Sequence, residues 1–240
     1  MTAATKARLY VPDALVAGGS VTLADDQAHY LRHVLRLEAG YAVAVFNGRD
    51  GEFRAVIAEV SKKVCRLDLE ARLRAQEPGA DIWLCFAPIK QGRIEMVVEK
   101  ATELGVGRLL PVLTRRTQMQ KVNAERLAAH AREAAEQCER LDVPEVAQAV
   151  TLEKLLQEWP QERRLLVCAE RAEVASLASV AAINGPCALL IGPEGGFAPE
   201  ELTLIKAQPQ AVTVSLGPRI LRAETAAIAA LAILQSARQN

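Results

Sequence analysis

The chain has 240 residues, half of them hydrophobic and 24% charged, and its 29 basic side chains are matched by 29 acidic ones. This is the profile of a globular protein of one large or two modest domains, and it excludes a strongly basic nucleic-acid module. Split near residue 78, the two parts carry 11 basic against 10 acidic and 18 against 19, so any affinity for a polyanion has to come from local clusters.

Residues 1–72 read as β-rich. Asp25–Arg36 is the helical interruption, with Asp25 or Asp26 as cap and Leu31, Val34 and Leu35 on one face. Tyr41–Phe46 (YAVAVF) is an apolar run closed by the turn dipeptide Asn47-Gly48. Glu52–Val60 and Val64–Glu70 then flank Ser61-Lys62-Lys63, with partial period-two alternation. A small barrel or barrel-like sheet is the expected architecture. The polar stretch 73–78, followed by Gly79, marks the boundary to a second domain over 79–240.

Beyond the boundary, strands alternate with helices. Asp81–Ala87 is a strand and Gln91–Leu104 a helix capped by Gly105; Arg108–Leu113 is a strand and Asn123–Arg140 a helix capped by Asn123. Strands at Leu165–Cys168, Cys187–Ile191 and Ala211–Leu216 follow, with helices starting near Pro199 and Ala223. This alternation predicts an α/β domain with a mostly parallel sheet.

The five cysteines (65, 85, 138, 168, 187) include no C-x-x-C pair, and three of them lie in apolar runs, which fits reduced thiols in the cytoplasm. The N-terminus lacks a secretory apolar core, and no run approaches the ~18 apolar residues of a membrane span. His29, His33 and His130 show no metal-ligand spacing with cysteine, so no metal is expected. Gly105-Val106-Gly107 starts like a dinucleotide fingerprint but lacks the third glycine and follows a helix.

Two segments carry the chemistry. In ALLIGPEGGFAPEE (188–201) an apolar strand runs into a glycine-rich loop with a helix opening at Pro199. Gly192, Gly195 and Gly196 permit close backbone approach to a ligand, whereas Pro193 and Glu194 argue against a phosphate cradle. In VTVSLGPRILRAETA (212–226) the same logic recurs: a strand, the turn Gly217-Pro218, then Arg219, Arg222 and Glu224 ahead of an alanine-rich helix. Each loop alone reads equally as a tight strand–helix connection, and Glu194 and Glu224 equally as caps. Two such loops at strand ends make a shared pocket, because open α/β sheets bind ligands there. The basic groups Arg32, His33 and Arg36, and Arg115-Arg116, read as solvated surface as readily as a binding face, and Lys62-Lys63 stay unassigned.

The pair IGPEGG and LGPRILRAET resembles the signature of the RsmE family, the 16S ribosomal RNA uracil-N3 methyltransferases of the SPOUT superfamily. The likeness extends to HYLRHVLRL (29–37), to KQGRIE (90–95) with EKATELGV (99–106), and to EAAEQCER (133–140) followed by Val143-Pro144. It therefore runs in order over most of the chain. The resemblance implies a PUA-like N-terminal β-barrel for RNA, a C-terminal trefoil-knotted α/β domain, a homodimer, S-adenosylmethionine as methyl donor and 16S ribosomal RNA as substrate. It implies a cofactor site made by Leu190, Ile191, Gly192, Glu194, Gly195, Gly196, Leu216, Gly217, Ile220, Leu221, Glu224 and Thr225, with backbone groups of Ile191, Gly192, Leu216 and Leu221 holding the adenine and amino-acid portions. RNA would be met by Arg8, Arg32, Arg36, Lys90, Arg93 and Arg140. Uracil N3 must lose its proton before it can attack a methyl group. Arg222 is therefore expected to stabilise charge on the uracil oxygens, with Glu136 or a water taking the proton.

Overall fold

A computed structural model describes residues 5–61, 64–168, 174–181 and 185–238; Lys62 and Lys63 lie outside the described residues. The chain divides into two compact units, Met1–Pro78 with Ala135–Val143, and Gly79–Ala134 with Pro144–Asn240.

The first unit is built on a five-stranded sheet of β1 (Arg8–Tyr10), β2 (Ser20–Thr22), β3 (Ala42–Phe46), β4 (Glu52–Val60) and β5 (Cys65–Arg74), in the order β1-β3-β4-β5-β2. Of the described pairs only β1–β3 is parallel, and register shifts along β4–β5 bend the sheet. Alternate residues such as Leu9, Val43, Val45, Phe53, Ile57 and Leu67 fill one core. The β3–β4 turn is organised by buried Asn47, whose Oδ1 accepts from the amides of Arg49 (3.0 Å) and Asp50 (2.9 Å). Gly51, at φ +91°, is required: a Cβ there would lie 2.2 Å from the Arg74 carbonyl oxygen.

Two details of the expected helix change. α1 covers Asp25–His29, and Tyr30–Val34 continues it as a π-turn. The wider turn rotates the following side chains, so Leu31 is fully buried while Val34 is 61% exposed instead of sharing its face. Ala24 occupies the cap position, and Asp25 and Asp26 are first-turn acids.

The same unit corrects two basic residues. Arg8 is not a surface cation: its guanidinium pairs with Glu52 (2.5 Å), donates to the carbonyls of Ala135 (2.8 Å) and Arg140, and sits 3.8 Å from the centre of the Phe46 ring. Arg140, 9% exposed, bonds Asp142 at 2.9 Å. Their donors are engaged inside the protein, which removes both from the set of RNA-facing cations. Arg74 adds a second partner to Glu52 at 2.8 Å and donates to the Glu139 carbonyl at 2.9 Å. These bonds account for residues 135–143 joining the first unit.

The second unit holds β6 (Ile82–Phe86), α2 (Arg93–Glu103), β7 (Arg108–Leu113), α3 (Ala124–Gln137, whose end enters the first unit), β8 (Glu145–Val146), β9 (Val150–Thr151), α4 (Leu152–Gln157), β10 (Arg164–Cys168), α5 (Leu177–Val180), β11 (Cys187–Ile191), α6 (Pro199–Lys206), β12 (Ala211–Val214) and α7 (Ala223–Arg238). The sheet order is β12-β10-β11-β6-β7-β8, with β9 also on β7, and every described pair is parallel. β11 is buried at all five positions, as expected of a central strand covered on both faces. Gly105 (φ +77°) ends α2, and Asn123 caps α3 by accepting the Arg126 amide at 3.0 Å. α7 packs on α2, α5 and β11. The α/β class with a small β-rich first unit and a parallel second sheet is the one the sequence indicates.

Candidate active site

β10, β11 and β12 are neighbours, so their carboxyl ends lie together, and the loops leaving β11 and β12 face one cavity of about 230 Å³. Its wall is Ile191–Phe197 after β11 and Leu216, Gly217, Arg219 and Leu221 after β12. Cys168 at the end of β10, Leu202 of α6, Ala223 and Ala226 of α7, and Arg116 complete it. The surface is mostly aliphatic, with Arg116, Glu194 and Arg219 as its charged members.

The first loop is held by short-range constraints. Gly196 (φ +67°) donates to the Pro193 carbonyl at 2.8 Å, closing a turn. At Gly192 a Cβ would stand 3.0 Å from the Phe197 ring, so a side chain here would have to displace the ring that walls the cavity. Glu201, 1% exposed, ties two segments together: Oε2 accepts the Ala198 amide at the mouth of α6 (2.7 Å) and Oε1 accepts the Arg115 amide (2.8 Å). Arg116 then donates to the Gly195 carbonyl at 2.6 Å. Thr114 and Thr117, both buried, bond each other's hydroxyls at 2.9 Å and stiffen the turn that carries Arg115 and Arg116.

Eight of the twelve cofactor residues expected from the sequence line the cavity: Ile191, Gly192, Glu194, Gly195, Gly196, Leu216, Gly217 and Leu221. Leu190 lies in the core cluster under the sheet, Ile220 is 54% exposed, and Thr225 is exposed on α7. Glu224 is buried at 6% exposure. Its Oε1 lies 3.6 Å from Arg93 Nη1, and its Oε2 has no hydrogen-bond partner among the described residues. Arg93 also lies 3.9 Å from Glu194, so a cation expected to face RNA sits between two carboxylates at the cofactor loops. Arg222 is exposed beside the cavity, outside its wall, while Arg219 is in the wall; neither makes an ion pair among the described residues. Glu136 belongs to the first unit, where its Oε1 accepts the Tyr10 amide at 2.9 Å, and it does not line this cavity.

Of the other basic residues, Arg32 donates to His33 Nε2 at 2.9 Å. Desolvation, then the charges of Arg32 and His29, hold the His33 imidazole below its ordinary range. Arg36 is exposed with φ +54°, an uncommon conformation for a side chain of its size, and Lys90 is exposed at the start of the turn into α2. Sequence reading missed Cys168, Leu202, Arg116 and Ala226 as wall residues. Arg116 was visible only as half of a charged loop, Cys168 only as a cysteine in an apolar run, and Leu202 and Ala226 are aliphatic positions with nothing to single them out. Burial pushes the Cys168 thiol up to about 12, so it serves as an apolar wall group and not as a thiolate nucleophile.

A model of an RNA methyltransferase domain matches residues 75–235, and a model of an RNA methyltransferase PUA domain matches residues 23–70. Ribosomal RNA small subunit methyltransferase E of Rickettsia conorii is 36% identical over 230 residues, covering 94% of this chain and 93% of that protein. The protein of the same name from Synechocystis is 35% identical, covering 94% and 76%. Among solved structures, a putative methyltransferase of Legionella pneumophila with bound S-adenosylmethionine superposes with a TM-score of 0.89 at 34% identity, over 98% of both chains. Ribosomal RNA small subunit methyltransferase E of Neisseria gonorrhoeae bound to S-adenosylmethionine gives 0.88 at 27% identity, over 96% and 97%.

Proposed function

The chain belongs to the ribosomal RNA small subunit methyltransferase E family, and from that premise we propose that it transfers the methyl group of S-adenosylmethionine to N3 of a uridine in 16S ribosomal RNA. The observation that carries this reading is the cavity shared by the two strand-end loops, in a fold whose full-length relatives have been seen with that cofactor.

The cavity suits such a ligand. Its aliphatic wall matches the faces of a purine, the backbone of two glycine-containing turns offers amides and carbonyls for its edges, and Glu194 supplies negative charge for a cationic donor. When bound, the cofactor supplies a methyl group on a positively charged sulfur. Ile191, Gly192, Leu216 and Leu221 hold it through backbone and contact surface. Phe197 and Leu202 keep water from one side. Arg222, with Arg219 next to it, provides unpaired guanidinium groups for the charge that builds on the uracil oxygens as the imide proton leaves to water. Fixing the two reactants in line removes a large part of the barrier, on the order of 7–11 kcal/mol in favourable cases. Because N3 lies on the pairing edge of the base, the uridine must be unpaired or extruded. Residues 1–72 would dock the RNA and 79–240 perform the transfer, with Arg32, Arg36 and Lys90 on the RNA side. We further place the protein in the cytoplasm as a homodimer. The five free cysteines support this location, and no described helix is long and apolar enough to cross a membrane.

The test is direct. Small subunits from a deletion strain are incubated with the purified protein and cofactor, and the RNA is digested to nucleosides for mass spectrometry. N3-methyluridine is expected. A 2′-O-methyl product would overturn the choice of atom, and the absence of any product from cofactor-bound protein would overturn the activity.

A further inference from the structure

A second cavity, of about 260 Å³, lies between the start of α2 and the loop that leads from β7 into α3, wholly within the second unit. It is not part of the cofactor site, yet the two are neighbours. Both stand at carboxyl ends of strands in one parallel sheet, and the first turn of α2 serves both: Arg93 reaches Glu194 of the cofactor loop, while Ile94 lines the second cavity.

Its chemistry is that of a nucleobase site. Ile94, Met119, Val122 and Leu127 form an apolar wall, and Gln91 brings an exposed amide that can donate and accept at a base edge. Around it stand cations. Lys90 and Lys121 are exposed and make no ion pair among the described residues, and Arg126 is oriented by Glu95 at 2.7 Å, a carboxylate only 19% exposed. The motif 90–95 thus has its polar ends on this cavity, through Gln91 and Glu95, and its centre on the cofactor loop, through Arg93. In a chain of zero net charge, such a local excess of unpaired cations is what a polyanion would meet.

We propose that this cavity binds an unpaired nucleotide of the substrate RNA flanking the methylated one. The base lies against Ile94, Met119 and Val122, and Gln91 meets its edge; Lys121 and Lys90 meet the adjoining phosphates. The proposal rests on the methyltransferase reading above.

Its test uses the full-length protein, small subunits from a deletion strain, and the variants Met119→Ala, Gln91→Ala and Lys121→Gln, none of which touches the cofactor cavity. KM for subunits is expected to rise about fivefold or more in Met119→Ala and Gln91→Ala, with kcat and cofactor affinity within twofold of the parent. Lys121→Gln is expected to weaken binding and to lower the slope of log affinity against log salt by about 0.7–1, whereas Met119→Ala leaves that slope unchanged. Unchanged KM in Met119→Ala and Gln91→Ala would overturn the base site and leave only a cationic surface. A change in cofactor affinity instead would reassign the cavity to the cofactor loop. The same losses should appear in low-salt binding of protein-free small-subunit RNA; a defect seen with assembled subunits alone would assign the cavity to a ribosomal protein and overturn the nucleotide. Failure of the parent protein to methylate would count against the activity itself, a separate outcome.

Discussion

Replacing Glu201 by alanine removes a side chain that satisfies two backbone amides at once, those of Ala198 and Arg115, at 2.7 and 2.8 Å. The carboxylate is 1% exposed; its bond to the Ala198 amide is buried and that to the Arg115 amide part-buried, so full desolvation of both amides is the upper bound. Leaving a buried donor unsatisfied costs about 1–3 kcal/mol, so two give about 2–6 kcal/mol. Part of this is returned, because a carboxylate need no longer be desolvated and a water can enter the space it leaves. A net loss of about 3 kcal/mol follows, equivalent to roughly 6–12 °C in the melting temperature of a domain this size. Glu201→Gln keeps one acceptor but turns an NH₂ group towards the second amide, so it is expected to lose about half as much. Because the two amides belong to the α6 mouth and to the Arg115-Arg116 turn that reaches Gly195, cofactor affinity should fall about tenfold in the alanine variant, on the order of 1.4 kcal/mol. Thermal and urea denaturation give the first quantity, and calorimetry with S-adenosylmethionine the second. An alanine variant within about 0.5 kcal/mol of the parent, with unchanged affinity, would refute the idea that this carboxylate holds the loops together.

Four further outcomes follow from the same geometry. Gly192→Ala should weaken cofactor binding at least tenfold with little effect on RNA affinity, because its Cβ would stand 3.0 Å from the Phe197 ring; equal calorimetric constants would contradict this. Arg222→Ala should lower kcat about 100-fold while cofactor affinity stays near the parent value, and full turnover in single-turnover assays would remove Arg222 from the mechanism. Glu52→Gln should destabilise the first unit by about 3 kcal/mol, since it removes the carboxylate charge that faces both Arg8 and Arg74, and urea unfolding of the variant measures it. Burial pushes the Glu52 carboxyl up, but the hydrogen bonds from Arg74 and Arg8 and their charges outweigh it, so the net shift is downward from 4.5. The stabilisation by this group is therefore complete above pH about 4.5 and is lost as pH falls through the lowered value; acid unfolding of Glu52→Gln should lack that component.

Much of the second unit could be read from the chain because its strands are short apolar runs bounded by polar, glycine or proline residues. β7 and β11 keep their expected ends, and α3 starts where Asn123 permits. The two loops of the cofactor site were legible for the same reason, since glycine at a strand end is a local backbone requirement. What escaped the sequence depends on residues far apart in the chain. A buried guanidinium and an exposed one look alike in sequence, and only the acceptors at Glu52, Ala135 and Arg140 decide that Arg8 is internal. The π-turn at Tyr30–Val34 escaped because a 3.6-residue period has no provision for a wider turn, and it sent Val34 outward. Within the loops, spacing named the segment correctly but not which side chains face inward: Leu190 and Ile220 point elsewhere, while Phe197 and Arg219 belong to the wall.

The bonds from Arg8 and Arg74 to residues 135–143 also set an order of events during synthesis. The first 78 residues leave the ribosome with all five strands of their sheet, yet the carbonyl acceptors at Ala135, Glu139 and Arg140 have not been made. Until residue 143 has emerged, Arg8 has only Glu52 and the Phe46 ring as protein partners, and the first unit must wait in an incomplete form while over a third of the second, residues 79–134, is translated. Domains usually complete themselves from the N-terminus as they appear. Here the β-rich unit is closed by a segment encoded downstream, so its maturation is tied to the elongation of the chain that will become the catalytic one.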